Sequence, residues 1–199
     1  QPTVKPQPTV KVPSQVKNVK VVKQSSSKVK VSWKKLSGVT GYEVYMKTNN
    51  GQYKKVYTNK GASKVTYTRS GLKKGYRYSF KVRAYNKLNG KTAYGKMSSV
   101  ASIRMPVTAP SSAKAKKDSK TSVKVSWSKV SDVTGYEVYM KTGSKSYSKV
   151  ATIKKSNTCS YKKTKLKKGT KYTFRVRAYK VVDGKKYYSG YKTTKQIRL

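Results

Sequence analysis

Thr40-Gly-Tyr-Glu-Val-Tyr-Met-Lys-Thr48 and Thr134-Gly-Tyr-Glu-Val-Tyr-Met-Lys-Thr142 are the same run of residues, 94 positions apart. Outward from this run the spacing holds: Trp33 and Trp127, Leu72 and Leu166, Gly75 and Gly169, and Phe80 and Phe174 are all separated by 94 residues. One module of about ninety residues is therefore used twice, each copy of a size at which a single hydrophobic core closes. Within the run, Tyr42, Val44 and Met46 alternate with Glu43, Tyr45 and Lys47, the period of a strand with one face buried.

The same period continues along the chain. Val29, Val31 and Trp33 alternate with Lys28, Lys30 and Ser32, and Tyr78, Phe80, Val82 and Ala84 alternate with Ser79, Lys81, Arg83 and Tyr85. Asn49-Asn-Gly51 predicts a hairpin closing onto Tyr53 to Tyr57, because these residues tolerate positive φ. Lys64 to Arg69 predicts another strand, with Val65 and Tyr67 inward. A last hairpin turns at Asn89-Gly90 and returns through Tyr94 to Met105, with Asp183-Gly184 taking the same place in the second copy. No apolar helical stripe interrupts this pattern, so each copy is expected to be all-β with about seven strands. Residues 1–12, with three prolines, read as an extended linker or as an arm that could add to a neighbouring subunit. The first domain is expected over 13–106 and the second over 107–199.

Lys and Arg number 49 against five acidic residues, a net charge of +44 in 199 residues. Such a charge opposes compaction and attracts polyanions, so an anionic polymer is the expected partner. With no histidine and a single cysteine, metal clusters and Cys/His or Ser/His catalysis lack their ligands and bases. Glu43, Asp118, Asp132, Glu137 and Asp183 leave little for paired-carboxylate chemistry. Cys159 takes the position of Val65 and is expected to be a small buried apolar residue. The sequence thus implies no enzyme, no metal and no cofactor. No apolar stretch approaches the roughly 20 residues that span a bilayer. A start at Gln1 without a leader pattern is expected of a mature or excised segment.

Val-x-Val-x-Trp, Gly-Tyr-Glu-Val-Tyr, Leu72-Lys-Lys-Gly75-Tyr-Arg-Tyr78 with Leu166-Lys-Lys-Gly169-Thr-Lys-Tyr172, and Phe-x-Val-Arg-Ala-Tyr together resemble the fibronectin type III domain. The likeness is to the tandem form found in surface and secreted proteins of Gram-positive bacteria, and it covers residues 13 to 199. It implies two seven-stranded immunoglobulin-like sandwiches, no cofactor, an extracellular or cell-surface setting, and a spacer or adhesion role. It also implies that Tyr78 and Tyr172 are structural, each a tyrosine corner. The Arg-Gly-Asp adhesion tripeptide is absent.

Two candidate surfaces follow. If the third and long strands are neighbours, Tyr45, Lys47, Lys81, Arg83 and Tyr85 share an outward face, as do Tyr139, Lys141, Arg175, Arg177 and Tyr179. Interleaved rings and cations could stack on sugars or bases and meet phosphates or sulfates. The plainer reading is a solvated sheet face on which Glu43 and Glu137 pair across strands with Arg83 and Arg177. The second surface is a lysine rim at and before the corner, Lys162, Lys163, Lys165, Lys167 and Lys168, which could hold polyanion phosphates. The functions expected are adhesion to anionic cell-wall polymers, assembly of an extracellular fibre through residues 1–12, or non-specific nucleic-acid binding without a recognised motif.

Overall fold

The computed structural model describes residues 9–199. Most of the expected arm therefore lies outside the described residues. The described part is all-β, and its main division into two compact units falls between Met105 and Pro106.

In the first domain, β1 (Lys20–Lys23), β2 (Val29–Ser32) and β5 (Thr66–Arg69) form a three-stranded antiparallel sheet in the order β1-β2-β5. The larger sheet runs β4-β3-β6-β7, built from β4 (Lys54–Asn59), β3 (Gly41–Thr48), β6 (Arg77–Leu88) and β7 (Lys91–Tyr94), with β8 (Ala101–Arg104) also on β6. The two sheets face each other, so one side of each must be apolar. Val29, Val31, Tyr42, Val44, Phe80, Val82 and Ala84 are fully buried between them. Trp33 meets Tyr42 edge to face at 5.4 Å.

The second domain repeats this plan. β9 (Ala113–Ser119), β10 (Ser122–Trp127) and β13 (Ser160–Lys163) form the smaller sheet. The larger sheet is β12 (Ser148–Ile153), β11 (Gly135–Thr142), β14 (Lys171–Val182) and β15 (Lys185–Tyr188) in that order, with β16 (Lys192–Thr193) and β17 (Ile197–Arg198) also on β14. Val123, Val125, Tyr136, Val138, Phe174, Val176 and Ala178 fill its core. The hairpin turns use left-handed residues as expected, with φ of 48° and 77° at Asn89 and Gly90 and of 49° and 75° at Asp183 and Gly184.

Two expectations need correction. The return from Asn89-Gly90 is not one strand to Met105 but is broken into β7 and β8. Between them the Val82 N–H donates to Ser98 Oγ instead of a carbonyl, which interrupts the ladder while keeping the buried N–H satisfied. In the second domain Ser189 Oγ and Thr194 Oγ1 accept from Ala178 and Phe174 in the same manner. Cys159, expected to be buried, is half-buried at the margin of the second core.

Candidate functional site

The larger sheet of each domain presents one face to the core and one outward. Pairing of β3 with β6 sets Glu43 opposite Arg83 and Tyr45 opposite Lys81, and pairing of β11 with β14 sets Glu137 opposite Arg177 and Tyr139 opposite Arg175. The expected strand neighbours are real, and so is the expected Glu–Arg pair.

Both glutamates, on the outward face, are nevertheless buried, at 3% and 1% exposure. Long side chains roof them over. Arg83 donates from Nε to Glu43 Oε2 at 2.9 Å, the Tyr45 hydroxyl donates to the same oxygen at 2.8 Å, and Lys55 donates to Oε1 at 2.8 Å. Around Glu137, Arg177 Nε and Nη2 lie at 3.0 and 2.7 Å from Oε2, the Tyr139 hydroxyl donates at 2.8 Å, and Lys149 and Lys186 stand at 3.5 and 3.8 Å from Oε1. Burial by itself would raise both carboxyl pKa values, but the hydrogen bonds and charges of these donors outweigh it and hold both below the ordinary glutamate value. For Tyr45, burial first and then the bond to Glu43 raise the phenol pKa. Such a carboxylate is a poor proton acceptor at neutral pH, and its chemistry is that of a charge clamp.

Above the clamp the rings and cations stack. Arg83 lies 3.7 Å from the Tyr94 ring centroid and 5.3 Å from that of Tyr45, while Lys47 and Lys81 stand over Tyr53 at 5.2 and 5.0 Å. In the second domain the stack is longer. Arg177 is 3.7 Å from Tyr188, and Arg175 sits between Tyr191 at 3.8 Å and Tyr147 at 4.2 Å, with Lys141 also over Tyr147 at 5.3 Å. Tyr191, which also meets Tyr139 edge to face at 5.3 Å, stands where the first copy has Met97.

Tyr85 and Tyr179 do not join the exposed face. They are 8% and 2% exposed because each lies across a glycine of the neighbouring strand. Tyr85 pairs with Gly41 and donates its hydroxyl to the Asn59 carbonyl at 3.3 Å, filling the slot that the missing side chain leaves. A ring used this way cannot also stack on a ligand.

The lysine rim is likewise rearranged. Lys162 and Lys163 belong to β13 rather than to a loop, with Lys163 half-buried, while Lys165, Lys167 and Lys168 are exposed around the buried Leu166. Lys162 bonds Asp118 at 2.7 Å. It also falls in register with Lys124 of β10, which pairs with Lys116 of β9, so three exposed lysines cross the smaller sheet in one row. The first copy has Val22, Lys30 and Thr68 there.

At the corner, Tyr172 is 4% exposed, and its hydroxyl accepts from the Lys167 N–H at 2.9 Å. Tyr78 takes the corresponding buried position at 5% exposure. Among the described residues no group of three or more acidic, Cys or His side chains could hold a metal ion, and no helix is long and apolar enough to cross a membrane.

Sequence reading missed Tyr53, Tyr94, Tyr147, Tyr188, Tyr191, Lys55, Lys149 and Lys186. Tyr94 was within reach, since a two-residue turn at Asn89-Gly90 fixes its pairing with Tyr85. Lys55 was not, because a bulge between Val44 and Tyr45 shifts the β3–β4 register by one residue.

Two antiparallel sandwiches in tandem, each with a buried corner tyrosine, define a modular β-sandwich protein. The fibronectin type III domain profile matches residues 14–100 and 108–191, and the chain belongs to that family. The fold is typically a non-enzymatic module, consistent with adhesion or spacing. A two-domain fibronectin type III segment of chicken tenascin superposes with a TM-score of 0.74 at 16% identity, covering 92% of this chain and 99% of that one. The FN1–FN3 domains of chicken CNTN1 share 22% identity at a TM-score of 0.41, covering 94% of this chain and 68% of that one. At 16% identity the tenascin likeness speaks to fold alone. No curated protein matches the chain.

Proposed function

We propose that this chain is a non-catalytic module of an extracellular bacterial surface protein that adheres electrostatically to anionic cell-wall polymers such as teichoic acids. The observation that carries this reading is the row Lys116–Lys124–Lys162. Like charges directly opposite on neighbouring strands, roughly 5 Å apart, oppose sheet formation. Asp118 is the acid held beside them, its pKa lowered by the hydrogen bonds of Lys162 and Ser122. A repeating polyanion laid across the row would relieve the repulsion. The aromatic–cationic face of the larger sheet offers a second contact, through Tyr188 and Tyr191 at 41% and 37% exposure.

Co-sedimentation with Gram-positive cell walls, native and stripped of teichoic acid, tests the reading. Binding should be lost on stripping and should weaken steeply with salt. The double variant K116V/K162T, which installs the residues of the first copy, should lower the salt slope by roughly one for each lysine removed. Binding that survives stripping, or a slope unchanged in the double variant, would overturn the proposal.

A further inference from the structure

On the outward face the two copies differ beside the buried glutamate. In the second domain, Lys186 of β15 reaches over Tyr179, 4.8 Å from its ring centroid, to within 3.8 Å of Glu137 Oε1. The corresponding residue of the first domain is Thr92. With that lysine replaced by a short side chain, a cavity of about 360 Å³ opens beside Glu43, walled by Lys55, Lys60, Lys87 and Thr92, with Tyr94 and Tyr85 alongside. Lys87 is also particular to this copy, the second having Val181 in its place.

What the cavity offers is specific. Glu43 Oε2 is occupied by Arg83 and Tyr45, whereas Oε1 carries a single bond, from Lys55. A carboxylate oxygen accepts more than one donor, so Oε1 has capacity left for a ligand hydroxyl. Lys60 and Lys87 are exposed and no acid is paired with either among the described residues, so a ligand anion can settle between them. Tyr94 is 44% exposed, with Arg83 stacked at 3.7 Å against its ring, which leaves ring surface open to solvent. A compact ligand that carries hydroxyls on one edge, an anion on another and a flat C–H face satisfies all three. A phosphate dianion fits less well, because it would meet the Glu43 carboxylate with no donor to present.

We infer that the first domain alone holds a binding pocket for an acidic sugar, a uronic acid unit whose hydroxyl donates to Glu43 Oε1, whose carboxylate lies between Lys60 and Lys87, and whose ring rests on Tyr94. The pocket rests on the wall-adhesion reading for its setting and adds to the phosphate-bearing polymer a second anionic wall component, one that carries uronic acid units. The second domain is its internal control, since Lys186 already occupies the same space and the same carboxylate oxygen.

The test is an NMR titration of the full chain with glucuronate, run beside acetate and glucose at constant ionic strength. Glucuronate should give saturable shifts at Thr92, Tyr94, Lys60 and Lys87, with affinity on the order of millimolar. Acetate should give diffuse, unsaturated shifts over many lysines. T92K should weaken glucuronate binding by roughly tenfold or more, although it adds a positive charge. The double variant V181K/K186T, which installs both residues particular to the first copy, should create matching shifts around Glu137 and Tyr188. The T92K chain is expected to fold, because the second copy carries lysine at that position, and unchanged peak dispersion elsewhere would verify it. Identical responses to glucuronate and acetate, or a T92K chain that binds as before, would overturn the pocket. Cell-wall binding with no glucuronate site leaves adhesion standing without the pocket. A glucuronate site with no wall binding removes the wall reading and keeps the pocket.

Discussion

Glu43 and Glu137 are two of five acids in a chain of 49 cations, and both are buried. Each is stabilised by donors that favour the ionised form, so its folded pKa lies below its unfolded one. Its contribution is therefore complete above the ordinary glutamate value near 4.5 and is lost as the pH falls through the lowered value. With no histidine in the sequence, acid unfolding should be governed by the carboxylates. The E43Q/E137Q chain should show a flatter acid limb below pH 5 and a loss of roughly 1–3 kcal/mol per site at neutral pH, since the arginines remain partly hydrated. Urea unfolding from pH 2 to 8 measures both, and a double variant with the wild-type pH profile would refute the clamp. Y172F isolates the corner. It removes an acceptor from the Lys167 N–H without emptying the core, and a cost of about 1 kcal/mol is expected in the same measurement.

At the scale of the strand, Gly41 and Gly135 matter for what lies above them. Neither has positive φ, so the reason for glycine is steric. A Cβ at Gly41 would press into the Asn59 carbonyl and come within 2.9 Å of the Tyr85 hydroxyl. Gly135 faces Ile153 and Tyr179 in the same way. Gly41→Ala should therefore cost roughly 1–3 kcal/mol, the range of overpacking in a well-filled structure. Because the nearer obstacle is backbone, adding Tyr85→Ala should deepen the loss instead of repairing it. Recovery of stability in G41A/Y85A would mean that the ring, and not the β4 backbone, sets the constraint.

The whole molecule carries +44, and its acids are too few to neutralise it. Screening of this self-repulsion should stabilise the fold, so the melting temperature should rise by several degrees between low salt and about 0.3 M salt. A polyphosphate added at low salt should raise it further if it prefers the folded chain. Calorimetry against ionic strength checks this, and a melting temperature that falls with salt would show that specific ion pairs outweigh the net repulsion.

The repeat, the strands, the hairpin turns, the two cores and the Glu–Arg pairs were legible because they follow from short-range rules. Alternation assigns a face, Asn-Gly and Asp-Gly assign a turn, and an unchanged 94-residue spacing transfers each assignment to the second copy. The outward face was legible only as a list. Whether Tyr85 is a platform or a lid depends on which residue sits across from it, and that residue is a glycine on another strand. The bulge in β3 that brings Lys55 to Glu43, and the broken last strand that carries Tyr191 onto Tyr139, both change register where no local pattern marks it. Thus the sequence by itself determined the module, its duplication and its charge. Tertiary structure decided which carboxylate oxygen is filled and which is left open, because that depends on how far a lysine on one strand reaches toward an acid two strands away.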